Sequence, residues 1–343
     1  MNYFKIKVRI SSLDFIRGLA ILIMISANAY PYIYPFKYCP LLLRLIFSSA
    51  APVFVFLSGV SLRLAVENGK KIKSLILRAF QILFFAVVID MFIWSIFPFI
   101  TMDVLYLISF SLLITIFLIR FSDKFKLLLS IGIVSFIIIT NNYYNFEFHE
   151  ISFDAIDLKK SLLLSIHHVL IDGWFPVFPW TGFTILGYLI TKNRQSIVKF
   201  SNHILLIGFT IIMGFSLLYC FEFFKTNSIR EGYTEIFYPV TIPFLLYVLG
   251  LFLVITSLFN ININGFNYVK SIGKLSLPIY FIHIFLIKFY LPFYLQSEIQ
   301  FNWFILIIGV LSLYLIVFLF VFFIKTLASK IKNNKLAAFL LGV

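Results

Sequence analysis

Asp14 and Arg17 stand three residues apart in the run SLDFIRGLAILIMISAN, and Asn28 follows eleven residues later, so in a helix all three share nearly one face. Such a polar stripe can line a reaction path and orient a reacting carbonyl. The same residues would also serve as an ion pair at a helix end and an interhelical hydrogen bond. His283, in GKLSLPIYFIHIFLI, falls deep inside an apolar run, where an imidazole needs a partner. It suits a general base or a group that hydrogen-bonds a substrate, and equally a buried ring satisfied by a neighbouring helix. His167 and His168 precede DGWFPVFPW, close in sequence to Asp172 and Trp180. A His–Asp pair there can accept a proton from an amine or hydroxyl, and an aromatic face with a carboxylate suits a sugar ring; polar loop residues are also often only solvated. Arg63 closes the run APVFVFLSGVSLRLA, whose Pro52, Ser58, Gly59 and Ser61 allow close helix approach.

The elements that must hold these residues are set by composition. Of the 343 residues, 62% are hydrophobic and 12% charged, a balance that calls for lipid as solvent. Apolar runs long enough to cross the bilayer recur near 13–35, 41–66, 74–99, 104–121, 127–141, 177–191, 203–221, 238–258, 275–293 and 302–325. The expected fold is therefore an all-α, polytopic transmembrane bundle of about ten spans, in a single membrane-embedded domain covering residues 1–343. Most of the 28 Lys and Arg fall in segments that lie on one side, which predicts cytoplasmic N- and C-termini and an even number of spans. The net charge of +14 thus reports topology, and no nucleic-acid partner is expected. The first apolar run follows Lys5, Lys7 and Arg9 but lacks a small-residue cleavage site, so it reads as a span and not a signal peptide. Cys39 and Cys220 form neither a disulfide framework nor a zinc pattern, although one outer disulfide between them is allowed; no metal is expected. The longest non-spanning piece, 142–176, is acidic and includes a short amphipathic helix over Ser161–Leu170.

Four segments, SLDFIRGLAILIMISAN, APVFVFLSGVSLRL, DGWFPVFPWTGFTILGYLI and GKLSLPIYFIHIFLI, resemble in that order the heparan-alpha-glucosaminide N-acetyltransferase catalytic-domain family. The resemblance implies a transmembrane acyltransferase that takes an acyl group, acetyl in the first place, from cytoplasmic acyl-CoA and passes it to a glycan or amino-sugar acceptor on the far side. It implies that Asp14 and Arg17 shape the cytoplasmic mouth, that Asn28 lines the reaction chamber and that His283 faces the same tunnel. Arg63 would sit near the donor. Arg17, Arg63 and Lys274, with Lys70, Lys71 and Lys73, are suitable partners for its phosphates, though basic residues gather at this face for topological reasons too. His167, His168, Asp172 and Trp180 would take the acceptor.

One departure matters. Where the animal enzymes carry a reactive histidine between the first two spans, this chain has Tyr38 or Cys39. Direct attack by the acceptor with a histidine as base, an acyl carrier at Cys39, or loss of activity would each accommodate that change, and direct transfer is the expected route. The partners expected are acyl-CoA, an outer acceptor, the lipid bilayer and a homodimer, in the cell membrane. The rival reading is a transporter or flippase for a small polar or lipid-linked substrate, whose path the same stripes would line.

Overall fold

The computed structural model describes residues 10–35, 38–100, 102–141, 165–220, 234–237, 240–259, 261, 263–294 and 302–330. Among them the chain is helical throughout, with no β-strand. The helices are α1 (Ser11–Ile33), α2 (Leu41–Glu67), α3 (Ile72–Trp94), α4 (Val104–Leu118), α5 (Asp123–Asn141), α6 (Val177–Lys192), α7 (Arg194–Lys199), α8 (Ser201–Cys220), α9 (Ile242–Ser257), α10 (Asn267–Lys274), α11 (Ser276–Tyr290) and α12 (Trp303–Lys330). Every apolar run read from the sequence holds a helix within a few residues of its expected bounds. Segment 142–164, with the first part of the expected Ser161–Leu170 helix, lies outside the described residues; from His168 to Asp172 the backbone makes a wide π-helical turn.

Local chemistry explains several helix ends. The Asp103 carboxylate accepts the Val104 backbone N–H at 2.6 Å to start α4, and the Thr241 hydroxyl accepts that of Phe244 at 3.4 Å to start α9. At its far end α3 widens into a π-helical stretch, Ile89–Trp94, which buries Asp90 as acceptor of a 2.7 Å hydrogen bond from the Tyr106 hydroxyl.

The outward faces are apolar. On α12, Leu311, Leu315, Leu319, Phe322 and Phe323 are exposed; on α8, Leu206, Phe209, Met213 and Leu217; on α3, Leu77, Phe80 and Phe84. Rows of large apolar side chains turned away from the core are what hydrocarbon, and not water, stabilises. Five helices among the described residues, α1, α2, α3, α8 and α12, are long and apolar enough to cross a membrane, and a sixth span results if α10 and α11, bent by 86°, count as one. The apolar helices α4 and α9, of 15 and 16 residues, reach only about 22–24 Å at 1.5 Å per residue.

The chain divides into two compact units, each taken by itself. The first comprises Met1–Ile10, Pro52–Ile212 and Pro239–Phe259. In it α2 and α6 approach at backbone distance: a Cβ on Gly59 would lie 1.9 Å from the Thr184 carbonyl oxygen. Phe56 stacks on Phe252 at 4.2 Å, and Phe183 meets Phe252 edge-on at 5.3 Å. The second unit comprises Ser11–Ala51, Met213–Tyr238 and Asn260–Val343. Here α1 and α10 press together so closely that a Cβ on Gly273 would fall 1.9 Å from the Asp14 carbonyl oxygen.

Candidate functional site

The second unit brings Asn28 and His283 together. Asn28 lies past the middle of α1 and His283 in the second turn and beyond of α11; Asn28 Nδ2 and His283 Nε2 are 3.3 Å apart. His283 is 1% exposed, and its Nδ1 lies 3.2 Å from the carbonyl oxygen of Ile279, one turn earlier on the same helix. A carbonyl only accepts, so Nδ1 carries the proton and donates it. The neutral ring then presents a bare lone pair at Nε2, and the Asn28 amide donates to it. Tyr280 packs edge-on against the imidazole with centroids 4.8 Å apart, which fixes its plane. The result is a buried, oriented base with an amide donor at its basic nitrogen.

Along α1, Asp14 and Arg17 occupy the start of the same polar stripe. Arg17 Nη1 donates to Asp14 Oδ1 at 3.4 Å, and Asp14 is buried beneath the α1–α10 crossing. Lys274, exposed, ends α10 at the bend into α11; nearby, the Lys325 ammonium donates to the Ser271 hydroxyl. Arg17, at this basic end, lies about 17 Å along α1 from Asn28, at 1.5 Å per residue.

At the other end of α1 the second unit holds a polar cluster that the sequence did not disclose. Cys39, a free thiol 5% exposed, sits beside Tyr30, Arg44 and Glu235. Arg44 Nε donates to the Cys39 carbonyl oxygen at 3.2 Å, and the Ser48 hydroxyl accepts the Ile236 backbone N–H at 2.9 Å, which holds Glu235 in place. Burial raises the Glu235 carboxyl pKa, opposed in part by its own hydrogen bonds and the Arg44 charge. Burial likewise pushes the Cys39 thiol up to about 11, against the pull of Arg44, so it is protonated at neutral pH and a poor nucleophile. Tyr38, its neighbour, points outward. The Cys220 side chain lies outside the described residues, and with it the expected option of a disulfide.

The remaining sequence candidates belong to the first unit. Arg63 donates from Nε to Glu67 Oε1 at 2.9 Å and from Nη1 to the Tyr188 hydroxyl at 3.3 Å. His168 is buried and His167 exposed, their rings 6.4 Å apart; the His168 carbonyl accepts the Gly173 N–H at 3.0 Å. Trp180 is 1% exposed within an aromatic group, edge-on to Phe175 at 5.1 Å and Phe183 at 5.5 Å. In this conformation its ring faces protein, not solvent. Asp172 ends the π-helical turn, and its side chain lies outside the described residues.

Among the described residues, helices throughout and apolar outer faces define a membrane protein. Residues 9–206, more than half of the chain, match the family described as heparan-alpha-glucosaminide N-acetyltransferase, catalytic, and the chain belongs to that family of membrane acetyltransferases. Comparison with curated proteins gives no match. Asp14, Arg17, Asn28, Arg63, His167, His168, Asp172 and Trp180 lie within the matched stretch; Lys274 and His283 lie beyond it.

Proposed function

We propose that this protein is a transmembrane acyl-CoA-dependent acyltransferase that moves an acetyl group from the cytoplasmic side to an amino-sugar or glycan acceptor at the outer face of the cell membrane, through about ten spans with both termini inside. The reading rests above all on the Asn28–His283 pair, a neutral imidazole with its Nε2 lone pair directed at an amide, buried in a member of an acetyltransferase family.

Acyl-CoA, as donor substrate, supplies the activated acyl group. Its charged end suits Arg17 and Lys274 of the second unit, and the length of α1 between Arg17 and Asn28 favours an elongated donor. His283 Nε2 takes the proton from the acceptor nitrogen or oxygen as that atom bonds to the acyl carbon. The carbon–sulfur bond breaks, and the proton passes from the imidazole to the departing sulfur. Asn28 Nδ2, which donates to Nε2 before reaction, is positioned to donate to the acyl oxygen when negative charge develops there. His167, His168, Asp172 and Trp180 remain the proposed acceptor side. Burial raises the Cys39 thiol pKa to about 11, which supports direct transfer over a thiol carrier.

The test is release of free thiol from acetyl-CoA by the purified protein against a panel of amino sugars and glycans. His283→Ala is expected to slow turnover by roughly 10²–10⁴-fold with donor binding kept; full activity in that variant would remove the role given to it. The transporter reading draws on the 86° break between α10 and α11, since interrupted helices line translocation paths. Solute uptake driven by a proton gradient, with no thiol release, would favour it.

A further inference from the structure

The geometry points to a phosphate-binding site in the first unit, built by Arg63, Lys126 and Arg194 around Tyr188. Four helix ends meet there: the last turns of α2 and α6, the first turn of α5 and the start of α7. Tyr188 is buried, yet two cations approach its ring at nearly equal distance, the Arg63 guanidinium at 5.2 Å from the centroid and the Lys126 ammonium at 5.3 Å. Lys126 is 3% exposed, an unusual place for an ammonium.

Among the described residues the carboxylates do not balance these charges. Glu67 is shared between Arg63, at 2.9 Å, and Arg194. Asp123 is shared between Lys126, at 2.8 Å, and Lys192. Hydrogen bonds from those two lysines hold the Asp123 carboxyl well below the usual range, at about 2, so it is fully ionised at neutral pH. Among the described residues, four cations in this network thus face two carboxylates, and two of the four lie against the buried ring. Each guanidinium also has N–H groups beyond those spent on Glu67 and Tyr188. A phosphate group, with several acceptor oxygens and one or two negative charges, meets both needs; an uncharged ligand meets neither. Arg194 and Lys192 are partly exposed and give the group its way in.

Such a phosphate has two sources: a soluble donor, or the head group of an anionic lipid in the facing leaflet. The inference shares Arg63 with the donor-binding residues expected from the sequence, and phosphate binding is measured without turnover. It is tested on the full chain in neutral detergent by native mass spectrometry and thermal shift. The probes are adenosine 3′,5′-bisphosphate and dioctanoyl phosphatidylglycerol, with dioctanoyl phosphatidylcholine for comparison. Wild type is expected to bind at least one anionic probe saturably. Arg194→Gln should weaken that binding at least tenfold, and Lys126→Gln should do the same where it folds. His283→Ala should leave it unchanged, which separates this result from a failure of the catalytic assignment. Binding of the bisphosphate alone would identify a soluble donor, and binding of the glycerolipid alone a lipid head group. No saturable binding by wild type, or binding that survives Arg194→Gln undiminished, would overturn the site and leave the network as a clamp between helix ends.

Discussion

A histidine and an asparagine in apolar helices are individually conspicuous, because each costs free energy to bury unless it is paired. That much of the site was legible in the sequence. Their pairing was not, since 255 residues separate them and only the packing of α1 against α11 makes them meet. Glu235 escaped notice for the opposite reason: a carboxylate between two apolar runs reads as solvated, and only the fold buries it beside Arg44 and Cys39. The same cluster bears on the choice between direct transfer and a thiol carrier. Cys39→Ser is expected to keep activity within about threefold of wild type, since exchanging a protonated thiol for a hydroxyl removes nothing that direct transfer uses. Trapping an acylated protein after mixing with labelled acetyl-CoA, with the label lost in the serine variant, would contradict this.

Element positions followed closely from hydropathy, as they must when each helix has to satisfy its own backbone in lipid. What hydropathy cannot convey is how neighbours touch. The motif glycines make the point: Gly273 brings α10 onto the backbone of α1 at Asp14, and Gly59 brings α2 onto α6 at Thr184. Gly59 was read from sequence as a small residue that permits approach, but its partner helix was invisible, and Gly273 was not singled out. Gly273→Ala forces a Cβ into a carbonyl oxygen and is expected to destabilise the protein by about 1–3 kcal/mol, with lowered acyl transfer because the α1–α10 contact sets the register of the polar stripe. Gly214→Ala, in α8 with no atom near the added Cβ, is the comparison and should be neutral or stabilise by up to about 1 kcal/mol. Thermal unfolding in detergent measures both, and equal melting temperatures for the two variants would refute the packing argument.

At the scale of the whole molecule, the apolar outer faces mark a membrane protein. The proposed reaction needs that arrangement: a charged donor that cannot cross, an acceptor on the other side, and a buried base between them. The ends of the polar stripe on α1, Arg17 and Asn28, lie far enough apart to serve both tasks without moving the donor's phosphates through hydrocarbon. The most direct measurement is therefore vectorial. The protein is reconstituted into vesicles with amino sugar enclosed and labelled acetyl-CoA added only outside, and the enclosed sugar is analysed. The account predicts labelled N-acetyl sugar inside and free CoA outside, both slowed by roughly 10²–10⁴-fold in His283→Ala. Labelled sugar absent from the lumen of wild-type vesicles, with the amino sugar confirmed as an acceptor in detergent, would contradict transfer across the membrane.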